Sequence, residues 1–227
     1  MSNSVGRRPE ANDRTDGRRA TLACIGVLAT VALAIYWRHL FGGYGFPHDY
    51  RATSRWPVFI TNTLTGGHFT EWIPFAGGGQ PLPYNAASGM YFPVWWVLGA
   101  LNVPTTLPVV NFVQAAHVFL GGAGVFVLGR TLGLGRRWAL FAGLAFLFFG
   151  GHYSNGFHDL IVRSNAYAPW LLYSLTPPAG NRGWMRVLGL PFWMWMLVGG
   201  GYPGQAMAFL QMGAVYLVIH LWFARTR

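Results

Sequence analysis

The chain has 227 residues, 53% of them hydrophobic and only 10% charged, with a formal net charge of +10. Soluble domains carry about a quarter charged residues, so this composition, with a mean hydropathy of +0.33, points to an integral membrane protein. The basic excess is all arginine. No basic stripe interleaved with aromatics lies on a soluble module, which argues against nucleic acid as a partner. The arginines instead read as residues that orient helices and meet anionic lipid headgroups.

In chain order, residues 1–19 form a polar tail that reads as disordered. It carries Arg7, Arg8, Arg14, Arg18 and Arg19. Residues 20–37 are the first span, near the roughly 20 apolar residues a bilayer requires. No small-x-small cleavage site follows it, and Trp37 to Phe41 resembles an interfacial belt, so the helix is expected to stay uncleaved. The lone Cys24 lies inside it, so one chain has neither an internal disulfide nor a cysteine-based metal site. The tail arginines set the N-terminus in the cytoplasm and the loop 42–90 outside.

Within that loop, 51–65 fits an amphipathic helix on the membrane surface. Trp56, Phe59, Ile60 and Leu64 fall on one face, with Thr61, Asn62 and Thr65 elsewhere. Residues 90–101 are apolar but short and rich in Pro and Trp, hence interfacial or re-entrant. Further spans are expected over 108–128, 138–149, 161–175, 187–198 and 206–223. If 90–101 crossed, Arg130, Arg136, Arg137, Arg182, Arg186, Arg225 and Arg227 would all move outside, against the positive-inside rule. The expected fold is therefore all-α and polytopic. About six spans form one transmembrane domain over 20–227, with both termini cytoplasmic and an extracytoplasmic amphipathic and re-entrant loop region.

That topology gathers the acids outside the tail, Asp49, Glu71 and Asp159, on the external face with His48, His68, His152 and His158. Asp49 stands just beyond the first helix. A carboxylate there suits a general base or a divalent cation, and the plainer alternative is a cap for the next helix. Asp159 follows His158, and Arg163 lies four residues on, at helical spacing for an ion pair. An arginine at the membrane boundary also suits a phosphate, whose geometry its planar fork matches. Glu71 with His68 is a weaker candidate, and Gln205 joins the same face from the last hairpin. His117, in mid-span, is a candidate pigment or haem ligand, against the commoner hydrogen bond to a neighbouring helix. Trp95-Trp96 and Phe192-Trp193-Met194-Trp195 read as belt and packing residues. The Gly77-Gly78-Gly79 run lacks the lysine and strand context of a phosphate-binding loop.

The order of several fragments carries a resemblance. These are an early external Asp, an amphipathic helix ending in Thr65-Gly66-Gly67, and Trp72-Ile73-Pro74-Phe75-Ala76-Gly77-Gly78-Gly79-Gln80-Pro81-Leu82. Tyr91-Phe92-Pro93, Val127-Leu128-Gly129-Arg130-Thr131-Leu132-Gly133, Ala168-Pro169-Trp170-Leu171-Leu172 and Gly201-Tyr202-Pro203-Gly204-Gln205 follow. Together they resemble the N-terminal part of the YfhO-type bacterial membrane proteins of the GT-C glycosyltransferase superfamily. The resemblance implies an inner-membrane enzyme that takes sugar from a polyprenyl-phosphate donor. Asp49 would then act on the acceptor hydroxyl, while arginine, histidine or a divalent cation holds the phosphate. The substrate-binding set would be His48, Glu71, His158, Asp159, Arg163 and Gln205, with 77–81 and 201–205 shaping the cavity mouth. Members of that family carry many more spans. The expectation is therefore a truncated relative: a fragment, a subunit completed by another chain, or a former enzyme reused as a membrane scaffold. The competing reading is a non-catalytic subunit of a respiratory or photosynthetic complex. A small transporter fits less well, because no span holds an unpaired acid.

Overall fold

The computed structural model describes residues 11–45, 55–67, 72–73, 78–81, 89–149, 158–176 and 184–225. Among them run eight helices: α1 Ala11–Phe41, α2 Arg55–Thr65, α3 Pro93–Ala100, α4 Leu107–Thr131, α5 Arg136–Leu147, α6 Asp159–Leu175, α7 Trp184–Gly200 and α8 Pro203–Arg225. Three stretches are long and apolar enough to cross a bilayer: Gly17–Phe41, Leu107–Thr131 and Pro203–Phe223. α5, α6 and α7 have 12, 17 and 17 residues, or about 18 to 26 Å at 1.5 Å per residue. The protein is thus a helical membrane protein with three candidate spans and shorter helices packed beside them.

Contacts fix the relative directions of the six longer helices. Asn111 Nδ2, in the first turn of α4, donates to His39 O at 2.7 Å and Tyr44 O at 3.1 Å, where α1 ends. Arg136 Nη2 reaches Gly17 O at 3.4 Å at the opposite end. Trp170 Nε1 on α6 donates to Leu120 O on α4 at 2.9 Å, and His117 on α4 meets Tyr167 on α6, so these two helices run parallel. Gln205 pairs with Asn165, and Tyr216 with Thr176, so α8 also runs with α6. α1, α5 and α7 run the other way. One end of the bundle therefore holds Tyr44, Asn111, Asp159 and Gln205, and the other holds Arg130, Arg136, Arg137 and Arg186.

α4 and α6 are the central pair, flanked by α1, α5, α7 and α8. On α1, Cys24, Leu28, Ala32 and Tyr36 are buried at four-residue intervals, a spacing that keeps them on one face. Lipid is as apolar as leucine, so these contacts are held by close packing rather than by a hydrophobic drive. Small residues make that packing tight. A Cβ on Gly143 would stand 2.9 Å from Gly122 O, and one on Gly121 3.1 Å from the Ala166 Cα. Backbone meets backbone where α4 crosses its neighbours.

Three local readings are corrected. α1 starts at Ala11, inside the stretch expected to be a disordered tail. Nucleation is the costly step in helix formation, and a formed span extends outward at little further cost. On α2, Thr61 is as buried as Ile60, at 1% each, although the amphipathic pattern set it off the apolar face. Its hydroxyl bonds back to Pro57 O at 2.9 Å and Val58 O at 3.2 Å, so the residue enters the packed face with its polarity satisfied. That face lies against α3, where a Cβ on Gly99 would come within 2.9 Å of Leu64 Cβ. Lastly, of the belt and packing roles read for it, Trp95 keeps only packing. It is 1% exposed, in a core with Phe92, Tyr167, Leu171 and Leu197, while Trp96 faces outward at 40%. α3 itself has eight residues, about 12 Å, too short to cross a bilayer.

Gly78 and Gly79 stand beside a two-stranded pairing. Trp72–Ile73 and Gln80–Pro81 pair antiparallel, with Trp72 opposite Pro81. Gly78 and Gly79 have φ of 79° and 103°, a region L side chains avoid. A Cβ on Gly79 would also meet the Trp72 ring at 2.7 Å.

Candidate functional site

The site is built on the first turn of α6. Asp159 lies where a helix N-terminus favours negative charge, and its Oδ1 accepts the Leu160 N–H at 3.0 Å. Its Oδ2 is ion-paired with Arg163 Nη2, one helical turn on. Both side chains are 3% exposed. Isolated buried charges cost several kcal/mol each, so such a pair survives burial only by compensating each other. The guanidinium also lies over two rings, 4.9 Å from the Phe92 centroid and 5.5 Å from that of Trp95. Arginine is the cation best suited to such stacking.

The pair leaves one arm of the fork unused. Among the described residues, neither Arg163 Nη1 nor the buried Trp95 Nε1 has a hydrogen-bond acceptor. Both donors border the same spot. A Cβ on Gly89, whose φ is 65°, would stand 3.3 Å from Nη1 and 3.5 Å from the indole nitrogen. A side chain there would press on the guanidinium edge. Leaving a buried donor unmet costs about 1–3 kcal/mol, more when it is charged. Two such donors beside one glycine would both be satisfied by an anionic or carbonyl oxygen.

Around this point the packing is aromatic. Phe92, His117 and Tyr167 lie within 5.4 to 6.5 Å of one another, centroid to centroid. His117 uses both ring nitrogens, with Nδ1 at 2.5 Å from Val113 O and Nε2 against the Tyr167 hydroxyl. It therefore links α4 to α6, and the haem-ligand reading gives way to the helix–helix bond. The 201–202 turn grips the other side of α6. Tyr202 N–H donates to Ser164 Oγ at 2.9 Å. Gln205 Nε2 donates to Asn165 Oδ1 at 3.2 Å.

Of the residues singled out in the sequence, Asp159 and Arg163 are joined, and His158 precedes them at the N-cap position. Gln205 sits at the same end of the bundle but bonds to Asn165, two residues beyond Arg163 and so on another face of α6. Asp49, His48, Glu71, His68 and His152 lie outside the described residues. Among the described residues, no group of three His, Cys, Asp or Glu side chains could hold a metal ion. Sequence reasoning missed Gly89 and Asn165, and read Trp95 with Trp96 as belt and packing residues without separating the two. The signal that was there is Phe92 and Trp95 at i, i+3 around Pro93, which turns both rings to one side of a helix start.

No family model, curated protein or solved structure matches the chain. Its chemistry must be read from donors and acceptors alone. Arg163 Nη1 and Trp95 Nε1 are two donors without an acceptor among the described residues, and Asp159 fixes the fork that carries Nη1.

Proposed function

We propose that the chain is a GT-C-like membrane protein that handles a phosphate-linked lipid sugar at the extracytoplasmic face. The observation that carries this reading is the unused Arg163 Nη1 beside Trp95 Nε1. A buried, pre-oriented guanidinium edge with a second neutral donor suits a phosphoryl oxygen, and Asp159 keeps the free site from being an isolated charge. Asp49 is the proposed catalytic group, acting on the acceptor hydroxyl. His48, Glu71 and His158 are the polar groups the sequence offers beside it.

The proposed topology has six crossings with both termini in the cytoplasm of a bacterial inner membrane. Support comes from the alternating helix directions, which leave Arg130, Arg136, Arg137 and Arg186 at one end and Asp159 at the other. α6 and α7, at 17 residues each, meet the lower limit for a span of about 17.

The test is thermal stabilisation of the purified protein in nanodiscs by polyprenyl phosphate, alongside the glycolipid profile of cells. Arg163→Met should remove the stabilisation, and Arg163→Lys should restore little of it, because a point charge cannot replace a fork. Asp49→Asn should abolish transfer at unchanged expression. An unaltered glycolipid profile in Asp49→Asn would sink the catalytic role. Equal stabilisation of wild type and Arg163→Met would sink the phosphate site.

One observation favours a second reading, a subunit of a larger membrane assembly. The Pro203–Phe223 stretch is only 11% buried within the chain, against 61% for Leu107–Thr131. Lipid or a partner helix would cover it equally well. The mass of the particle extracted in mild detergent, with its co-purifying chains identified, separates the two.

A further inference from the structure

A cavity lies on the face of α6 that carries Asn165, between α4, α5 and α8. Its volume is about 360 Å³, within the roughly 300–1,000 Å³ of small-molecule sites. Its walls are apolar except at one end, where Asn165 and Gln205 meet. Asn165 is 3% exposed. Gln205 Nε2 donates to Asn165 Oδ1, which leaves Asn165 Nδ2 and Gln205 Oε1 buried without a partner among the described residues. Turning both amides over leaves the same remainder, one donor and one acceptor.

The shape matches this polar end. From Asn165 to Leu172 along α6 the cavity runs about 10 Å at 1.5 Å per residue, lined by Leu128, Ala168, Leu172 and Met212. Phe149 and Met212 on its wall are exposed at 50% and 39%, so it opens sideways through the surface that faces lipid. No charged side chain lines it among the described residues. An ionised head would therefore be buried without a counter-charge, at a cost of several kcal/mol. A hydroxyl fits, since it accepts from Asn165 and donates to Gln205 at once. A lone water would meet the same two atoms but leave the apolar length empty.

We infer that this cavity is a lateral binding site for a single-chain lipid with a neutral hydroxyl head, a long-chain alcohol. It is independent of Arg163, whose guanidinium faces Phe92 and Trp95 instead. The experiment uses the full chain in nanodiscs with a diazirine-bearing hexadecanol, photolysed and mapped by mass spectrometry. Labelling should concentrate around Leu172 and Met212, and should be competed by hexadecanol but not by hexadecane or palmitate. Gln205→Leu should weaken competition roughly five- to tenfold, as the loss of one buried hydrogen bond predicts. Met212→Trp, which fills the chain end and leaves both amides intact, should abolish the focused label. Labelling spread evenly over the lipid-facing helices would overturn the site. So would equal competition by hexadecane, or a focused label that survives Met212→Trp.

Discussion

Arg163 is held by three different forces, and each makes its own prediction. The Asp159 carboxylate neutralises it, the Phe92 and Trp95 rings lie against it, and Gly89 lets the backbone pass close to its free edge. Asp159→Asn strands a buried cation, so the folded state should lose about 3–5 kcal/mol. Pairing it with Arg163→Met removes both charges, and the double variant should recover most of that loss. Thermal midpoints in one detergent measure the difference. A double variant no more stable than Asp159→Asn would mean that the charges do not compensate each other. Gly89→Ala tests that close approach. It forces a side chain into φ of 65° and into contact with Nη1, so stabilisation by polyprenyl phosphate should vanish. A retained shift would place the phosphate elsewhere.

At the scale of elements, α4 is the helix the others are built against, and its glycines set the distances. Gly143→Val would drive a branched side chain into Gly122 O, a backbone atom that cannot rotate away. A loss of roughly 1–3 kcal/mol is expected from overpacking of this kind, read as a lowered thermal midpoint. Wild-type stability in that variant would mean α4 and α5 are not in close contact. α2 offers the contrary case. Thr61 is buried with only local hydrogen bonds, so Thr61→Val should change stability by less than about 1 kcal/mol, whereas Thr61→Arg should disrupt the packing on α3. A surface-lying helix with Thr61 in water would tolerate both.

At the scale of the whole molecule, the helix directions separate an arginine end from an acid end. In a Cys24→Ala background, single cysteines placed at Arg130 and at Tyr202 report which end faces outward. Both positions are exposed. A membrane-impermeant maleimide applied to intact cells should label Tyr202→Cys and spare Arg130→Cys. The reverse pattern would invert the orientation, and labelling at both would break the six-crossing arrangement.

Apolar runs alone determined that this is a helical membrane protein, because a bilayer demands about 20 apolar residues per span and satisfies backbone groups only in helices or closed barrels. The sequence also placed the long helices after α1 within three residues at each end, and it singled out Asp159 with Arg163, because an i, i+4 pair is a local geometry. It could not show that Trp95 and Gly89 meet that arginine across more than sixty positions. Nor could it separate Trp95 from Trp96, or Thr61 from Asn62, since lipid and protein interior select the same apolar side chains and differ only in what packs against them. The cavity beside Asn165 was equally invisible. Asn165 and Gln205 are ordinary amides in the sequence, and only the parallel packing of α6 and α8 brings them to one place with half of each left unmet.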